Sequence, residues 1–166
     1  MKTLFTRCAT LALATFGVIS LMGCGGGSDE ESDDITRELL AGSGEKTWTL
    51  RSIKGNANFE GGGVDTPCPA SLPVKEGFGS FACGSADKVI MRTSGTFNYR
   101  GINGISWTLS GATLTLDLGS FGVITADVIR ESDTQLRVRQ LSRVKDGVRD
   151  TDEDGCELVI QEGVPM

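Results

Sequence analysis

The sequence predicts an all-β domain: an antiparallel meander of about eight short strands closed into a barrel, with a two-sheet β-sandwich as the alternative. Three observations carry this. Between residues 46 and 161, apolar and polar side chains alternate with a period of two in one short segment after another. Residues that favour turns separate most of these segments, as in hairpins. Each segment is apolar on one face, and closing such a sheet on itself removes the exposed edges of an open one.

The first segment is not part of the domain. Lys2 and Arg7 precede an apolar run from Ala9 to Met22 that is too short to span a bilayer, which takes about 20 residues. A basic start, a short apolar run and small residues before a cut describe an export signal over residues 1–23. Leu21-Met22-Gly23-Cys24 resembles the lipobox of bacterial lipoproteins. In that family a diacylglycerol joins the thiol, the chain is cut before the cysteine, and the new amine is acylated. The resemblance implies lipidation of Cys24 and attachment to a membrane through that lipid alone. Gly25 lacks the Asp that resembles an inner-membrane retention signal, which points to the outer membrane. The acids that follow also resemble a surface-export signal, and a plain spacer reads equally well.

Loss of residues 1–23 removes two cations and no acid, taking the net charge from −6 to −8. An acidic chain without a basic cluster argues against nucleic acid or anionic lipid headgroups as partners. The chain has no histidine, which excludes Ser-His-Asp and Cys-His catalysis and His-ligated zinc. No carboxylate pair stands out by spacing, so no catalytic residue is assigned and the chain is read as non-enzymatic.

Residues 24–34 form an acidic, glycine-rich tether. A short helix follows over 34–42, capped by Asp33 or Asp34 and stopped by Gly42, with Ile35, Leu39 and Leu40 on its apolar side. It begins a single domain over residues 35–166. Lys46–Ile53 alternates as a strand, with Trp48 and Leu50 on one face. Residues 54–87 are rich in glycine and proline and keep no period, so they read as a long loop pinned by Phe59, Phe78 and Phe81.

Strands resume at Lys88–Arg92 and Thr96–Arg100. Ile105–Leu109 and Ala112–Leu118 read as a hairpin turning at Ser110-Gly111, which sets Leu109 against Ala112, Trp107 against Leu114 and Ile105 against Leu116, with a four-residue turn as the alternative because Ser-Gly is not the best type I′ pair. Val123–Arg130 puts Ile124, Ala126 and Val128 on one face, and Leu136 and Val138 continue it beyond a turn at 131–134. The alternation breaks at Gln140-Leu141, the signature of a bulge. An acidic loop over 146–155 leads to a last strand, Cys156–Gln161.

Leu39-Leu40-x-Gly42 with Lys46-Thr47-Trp48-x-Leu50, the Gly95-Thr96-Phe97 step, and Trp107-x-Leu109 running into Leu114-Thr115-Leu116 resemble lipocalin-like lipoprotein domains of bacteria. Cys83 ahead of a strand and Leu136 after an acidic turn continue the likeness, over roughly residues 35–141. The long loop and the acidic loop depart from it. The resemblance implies an eight-stranded barrel able to hold a small apolar ligand, and carries over no ligand-binding residue.

Three cysteines remain beside Cys24 and the discarded Cys8. In an oxidising envelope one pair joins, and Cys68–Cys83 is preferred because it closes the irregular loop, with Cys68–Cys156 as the alternative. Cys156, among apolar neighbours and behind an acidic loop, reads as an inert buried thiol. Trp48, Phe97, Tyr99 and Trp107 are candidate ligand-lining residues, each read first as barrel core. No cofactor is required. Asp150, Asp152 and Asp154, with the carbonyl of Cys156, have the alternate spacing of a calcium loop. The twelfth position holds Gln161 instead of Glu and the flanks are strands, so such a site would be weak, and a solvated acidic hairpin is the plainer reading. An envelope protein meeting the two long loops is the alternative partner.

Overall fold

The computed structural model describes residues 34–75 and 79–163, without the side chains of 103–105. The export signal, Cys24, tether residues 24–33 and Phe78 lie outside the described residues. The helix α1 spans Arg37–Ala41. Strands follow as β1 (Glu45–Lys54), β2 (Thr66–Pro67), β3 (Ala70–Pro73), β4 (Ser80–Cys83), β5 (Lys88–Arg92) and β6 (Thr96–Tyr99). The chain continues as β7 (Ile102–Ser110), β8 (Thr113–Asp117), β9 (Val123–Ser132), β10 (Gln135–Lys145), β11 (Val148–Asp150) and β12 (Glu157–Glu162).

Eight of these strands close a barrel in the order β1-β5-β6-β7-β8-β9-β10-β12, and β12 pairs back onto β1. Every pairing is antiparallel and joins strands that follow one another around the chain, so the fold is the closed meander. Its interior is built by the alternating apolar residues: Trp48, Leu50, Met91, Phe97, Trp107, Leu114, Ala126, Val128, Leu136 and Ile160 are all buried. This is a lipocalin-like all-β barrel, not a sandwich.

One end of the barrel is plugged by α1. Leu40 and Ala41 are buried there, with relative exposures of 1% and 0%. The indole N–H groups of Trp48 and Trp107 point to this end and donate to backbone carbonyls, Trp48 to Leu40 and Trp107 to Arg92 and Thr96. The Arg37 guanidinium lies 4.4 Å from the centre of the Trp107 ring. Thr36, not Asp34, caps the helix: its hydroxyl accepts from the Leu39 N–H at 3.0 Å because the first helical residue is Arg37. Gly42 follows the helix at φ +61° and ψ −153°, a combination essentially confined to glycine.

The β7–β8 hairpin differs from expectation in register. Ser110 pairs with Thr113, Leu109 with Leu114 and Trp107 with Leu116, so the turn residues are Gly111-Ala112. The positive φ of Gly111 at the first turn position is the reason, since a type II′ turn needs glycine there. The shift leaves the partner of each residue two positions further on, so inward and outward faces are unchanged.

Residues 54–87 are more ordered than their composition suggests. The strand β2 lies beside the end of β1, while β3 and β4 form a separate hairpin. Phe59 is buried, and its ring centre lies 6.0 Å from that of Phe81. Cys68 and Cys83 are joined by a disulfide. Arg137, on the outer face of β10, fastens this excursion to the barrel: it holds Asp65 at 2.8 Å, Glu131 at 2.6 Å and Glu157 at 2.9 Å.

Candidate functional site: an apolar cavity at the open end of the barrel

Opposite α1 the barrel is not filled. A cavity of about 170 Å³ lies between the strands, lined by Leu50, Val89, Met91, Phe97, Tyr99, Leu114, Leu116, Leu118, Ile124, Val138, Leu158 and Ile160. Among the described residues, seven of the eight barrel strands contribute at least one apolar side chain from their inward face, and Leu118 adds one from the β8–β9 turn. Exposure grades along the wall. Leu50, Met91, Phe97, Leu114 and Ile160 are buried, whereas Val89, Tyr99, Leu118, Ile124, Val138 and Leu158 are partly exposed. The first group is the floor and the second the mouth. Burial pushes the Tyr99 phenol up from its usual range, so it stays neutral at any ordinary pH.

Phe97 and Tyr99 thus line the cavity, while Trp48 and Trp107 do not. Both indoles sit in the plug beneath it, committed to carbonyls of the helix and the β5–β6 turn. The aliphatic wall from β8, β9, β10 and β12 was readable as an inward face, but nothing in the alternation marks which inward residues leave space between them.

The rim carries charge. The bulge in β10 falls between Gln140 and Ser142. Before it, Gln140 pairs with Ala126, which faces the interior; after it, Arg143 pairs with Ile124, a lining residue. Paired residues share a face, so the extra residue turns Arg143 inward where an uninterrupted strand would present Ser142. Arg143 donates to the Phe121 carbonyl at 3.2 and 3.4 Å and lies 3.8 Å from Glu153. Burial raises the Glu153 carboxyl above its usual range, with Arg143 opposing and Asp150 adding to the shift.

The acidic loop is held from outside by asparagine. The Asn56 side-chain N–H groups donate to the carbonyls of Asp152 and Asp154, each at 2.8 Å. The Asp154 carboxylate is taken by Arg149 at 2.7 Å, and that of Asp150 accepts from the Asp152 N–H at 3.1 Å. Asp150 and Asp154 each commit one carboxylate oxygen within the loop and Asp152 contributes its main chain, while Asp154 Oδ1 is buried without a partner. No three acidic or cysteine side chains among the described residues are placed to hold a metal ion. Cys156 is buried beside them, and burial pushes its thiol up from the usual value.

The architecture and cavity define the class: a small, closed, lipocalin-like β-barrel with an apolar interior space. Nothing narrower comes from comparison, since no family model, curated protein or solved structure matches the chain.

Proposed function

We propose that this chain is a lipid-anchored envelope lipoprotein of the outer membrane, held by Cys24, whose barrel takes up a small apolar group without chemical conversion. The cavity carries this reading. Its walls expose carbon and no polar atom, so a nonpolar guest would gain burial without stranding a hydrogen-bonding group. Its volume is of the order of an engineered apolar cavity of about 150 Å³ that stays dry and binds benzene. A guest of six to eight heavy atoms fits that scale, and a sterol or long acyl chain does not.

Native mass spectrometry of the chain, purified without denaturant and exposed to benzene-sized apolar probes, tests the binding. One equivalent should bind, and Val138→Phe, which fills the space from the wall, should abolish it. Failure of every probe to bind would sink the reading. Cys24→Ser tests the anchor: the substituted protein should leave the membrane fraction.

A second reading is a surface module that meets an envelope protein through loops 54–87 and 146–155. It is favoured by Val64 and Val148, exposed at 65% and 69% on those two loops. Against it, the loop aromatics Phe59 and Phe81 turn inward.

A further inference from the structure

Resting on the cavity reading, we infer that the guest is a short-chain carboxylate, whose tail fills the apolar space and whose head meets Arg143 and Gln140 at the rim. The cavity alone asks only for an apolar body. The β10 bulge adds a polar end to it. By setting Gln140 and Arg143 on the inward face, one on each side of the extra residue, it places two hydrogen-bond donors next to the wall that Val138 and Ile124 form.

Neither donor is used up. A guanidinium offers five N–H groups in a fork that matches a carboxylate. That of Arg143 gives two contacts to one carbonyl, and its nearest carboxylate, Glu153, stands at 3.8 Å, beyond hydrogen-bond reach. Arg137 on the opposite face of the same strand shows what a satisfied arginine looks like here, with three carboxylates at 2.6 to 2.9 Å. The Gln140 Nε2 is buried with no acceptor at full hydrogen-bond distance, although Gln140 stands close enough to the Glu153 carboxyl to oppose the rise that burial causes there. A buried amide N–H without a partner is costly, and an incoming acceptor would relieve it. A carboxylate presents two acceptor oxygens and a negative charge that can approach Arg143 more closely than Glu153 does at 3.8 Å, whereas a hydroxyl would satisfy one donor and bring no charge.

Isothermal titration of the full chain in lipid nanodiscs with hexanoate and with 1-hexanol separates head from tail. Hexanoate should bind at least tenfold tighter than hexanol. Arg143→Met should erase that advantage by weakening hexanoate at least tenfold more than hexanol, and Gln140→Leu should reduce it in part. Melting curves show that each variant is folded. Equal or weaker binding of hexanoate by the unaltered protein overturns the carboxylate inference while leaving the cavity reading intact. Binding of neither compound overturns both.

Discussion

The indole N–H of Trp48 donates to the main-chain carbonyl of Leu40 at 2.8 Å, in a site where both residues are buried. Leu40 lies in the last turn of α1, where helix carbonyls have no partner within the helix. The barrel wall supplies that partner, so a helix of five residues, too short to stand alone, is fixed as a plug. Trp48→Phe keeps most of the ring and strands the carbonyl. It should cost about 1–3 kcal/mol, read as a lower melting temperature with an unchanged β-sheet circular dichroism spectrum.

Trp107 is packed in the same plug and should be costlier to truncate. Trp107→Ala removes a side chain that is 1% exposed and leaves a void under Arg37. A loss of about 3–5 kcal/mol is expected in chemical denaturation. A loss below 1 kcal/mol would contradict the inward assignment of this face.

The Cys68–Cys83 bridge closes 15 residues that include the β3–β4 hairpin. By the loop-entropy relation such a closure stabilises by about 3 kcal/mol. Cys68→Ser with Cys83→Ser should lower stability by that order and make the chain around residues 70–83 the first place a protease cuts. Cleavage elsewhere in the barrel first would show that the excursion does not depend on its bridge.

Calcium should leave the protein unchanged. With Asp154 paired to Arg149 and Asp150 capping the Asp152 N–H, a cation would have to break existing contacts to collect ligands. Titration to millimolar calcium is expected to produce no shift in melting temperature. A saturable rise that Asp152→Ala removes would restore the loop as a binding site.

Acid stability carries two opposed contributions. The hydrogen bond from Arg100 holds the Asp87 carboxyl below its ordinary range, and Arg137 does the same for Asp65. A folded-state value below the unfolded one means that each pair stabilises fully above about pH 4. That stabilisation fades as pH falls through the lower folded value. Glu153 has the opposite sign, since burial raises it and protonation favours the folded form. Asp87→Asn should flatten the fall in melting temperature below about pH 4, and Glu153→Gln should raise the melting temperature at neutral pH. A steeper acid limb in Asp87→Asn would refute the assignment.

Most of the barrel was legible from alternation, because a side chain in a half-buried strand must choose a face. Lys88–Arg92 coincides with β5, and the break at Gln140-Leu141 coincides with the bulge in β10. The hairpin register was less legible: Ser110-Gly111 and Gly111-Ala112 both place glycine in a two-residue turn, and a type I′ turn at the first pair would need a positive φ at Ser110 that the backbone does not have. The strands β2, β3 and β4 left no trace of period, since they are two to four residues long and held by a disulfide and by pairing with neighbours. The cavity was not legible at all. Alternation tells which residues face inward, but unfilled space depends on how twelve side chains from around the barrel meet. The rim arginine had one visible signal, the bulge that reverses the face of Arg143.

Asp34 joins the domain at the helix-plugged pole, whereas Val89, Tyr99, Leu118 and Leu158 mark the opening at the other pole. On the proposed anchoring through Cys24, mooring and traffic would fall at opposite ends of the domain. Changing the length of the chain ahead of Asp34 would then alter the reach of the domain without reshaping the doorway. A guest of the proposed cavity would enter at the pole remote from Asp34, which favours cargo dissolved in the surrounding water over lipid drawn from the leaflet beneath.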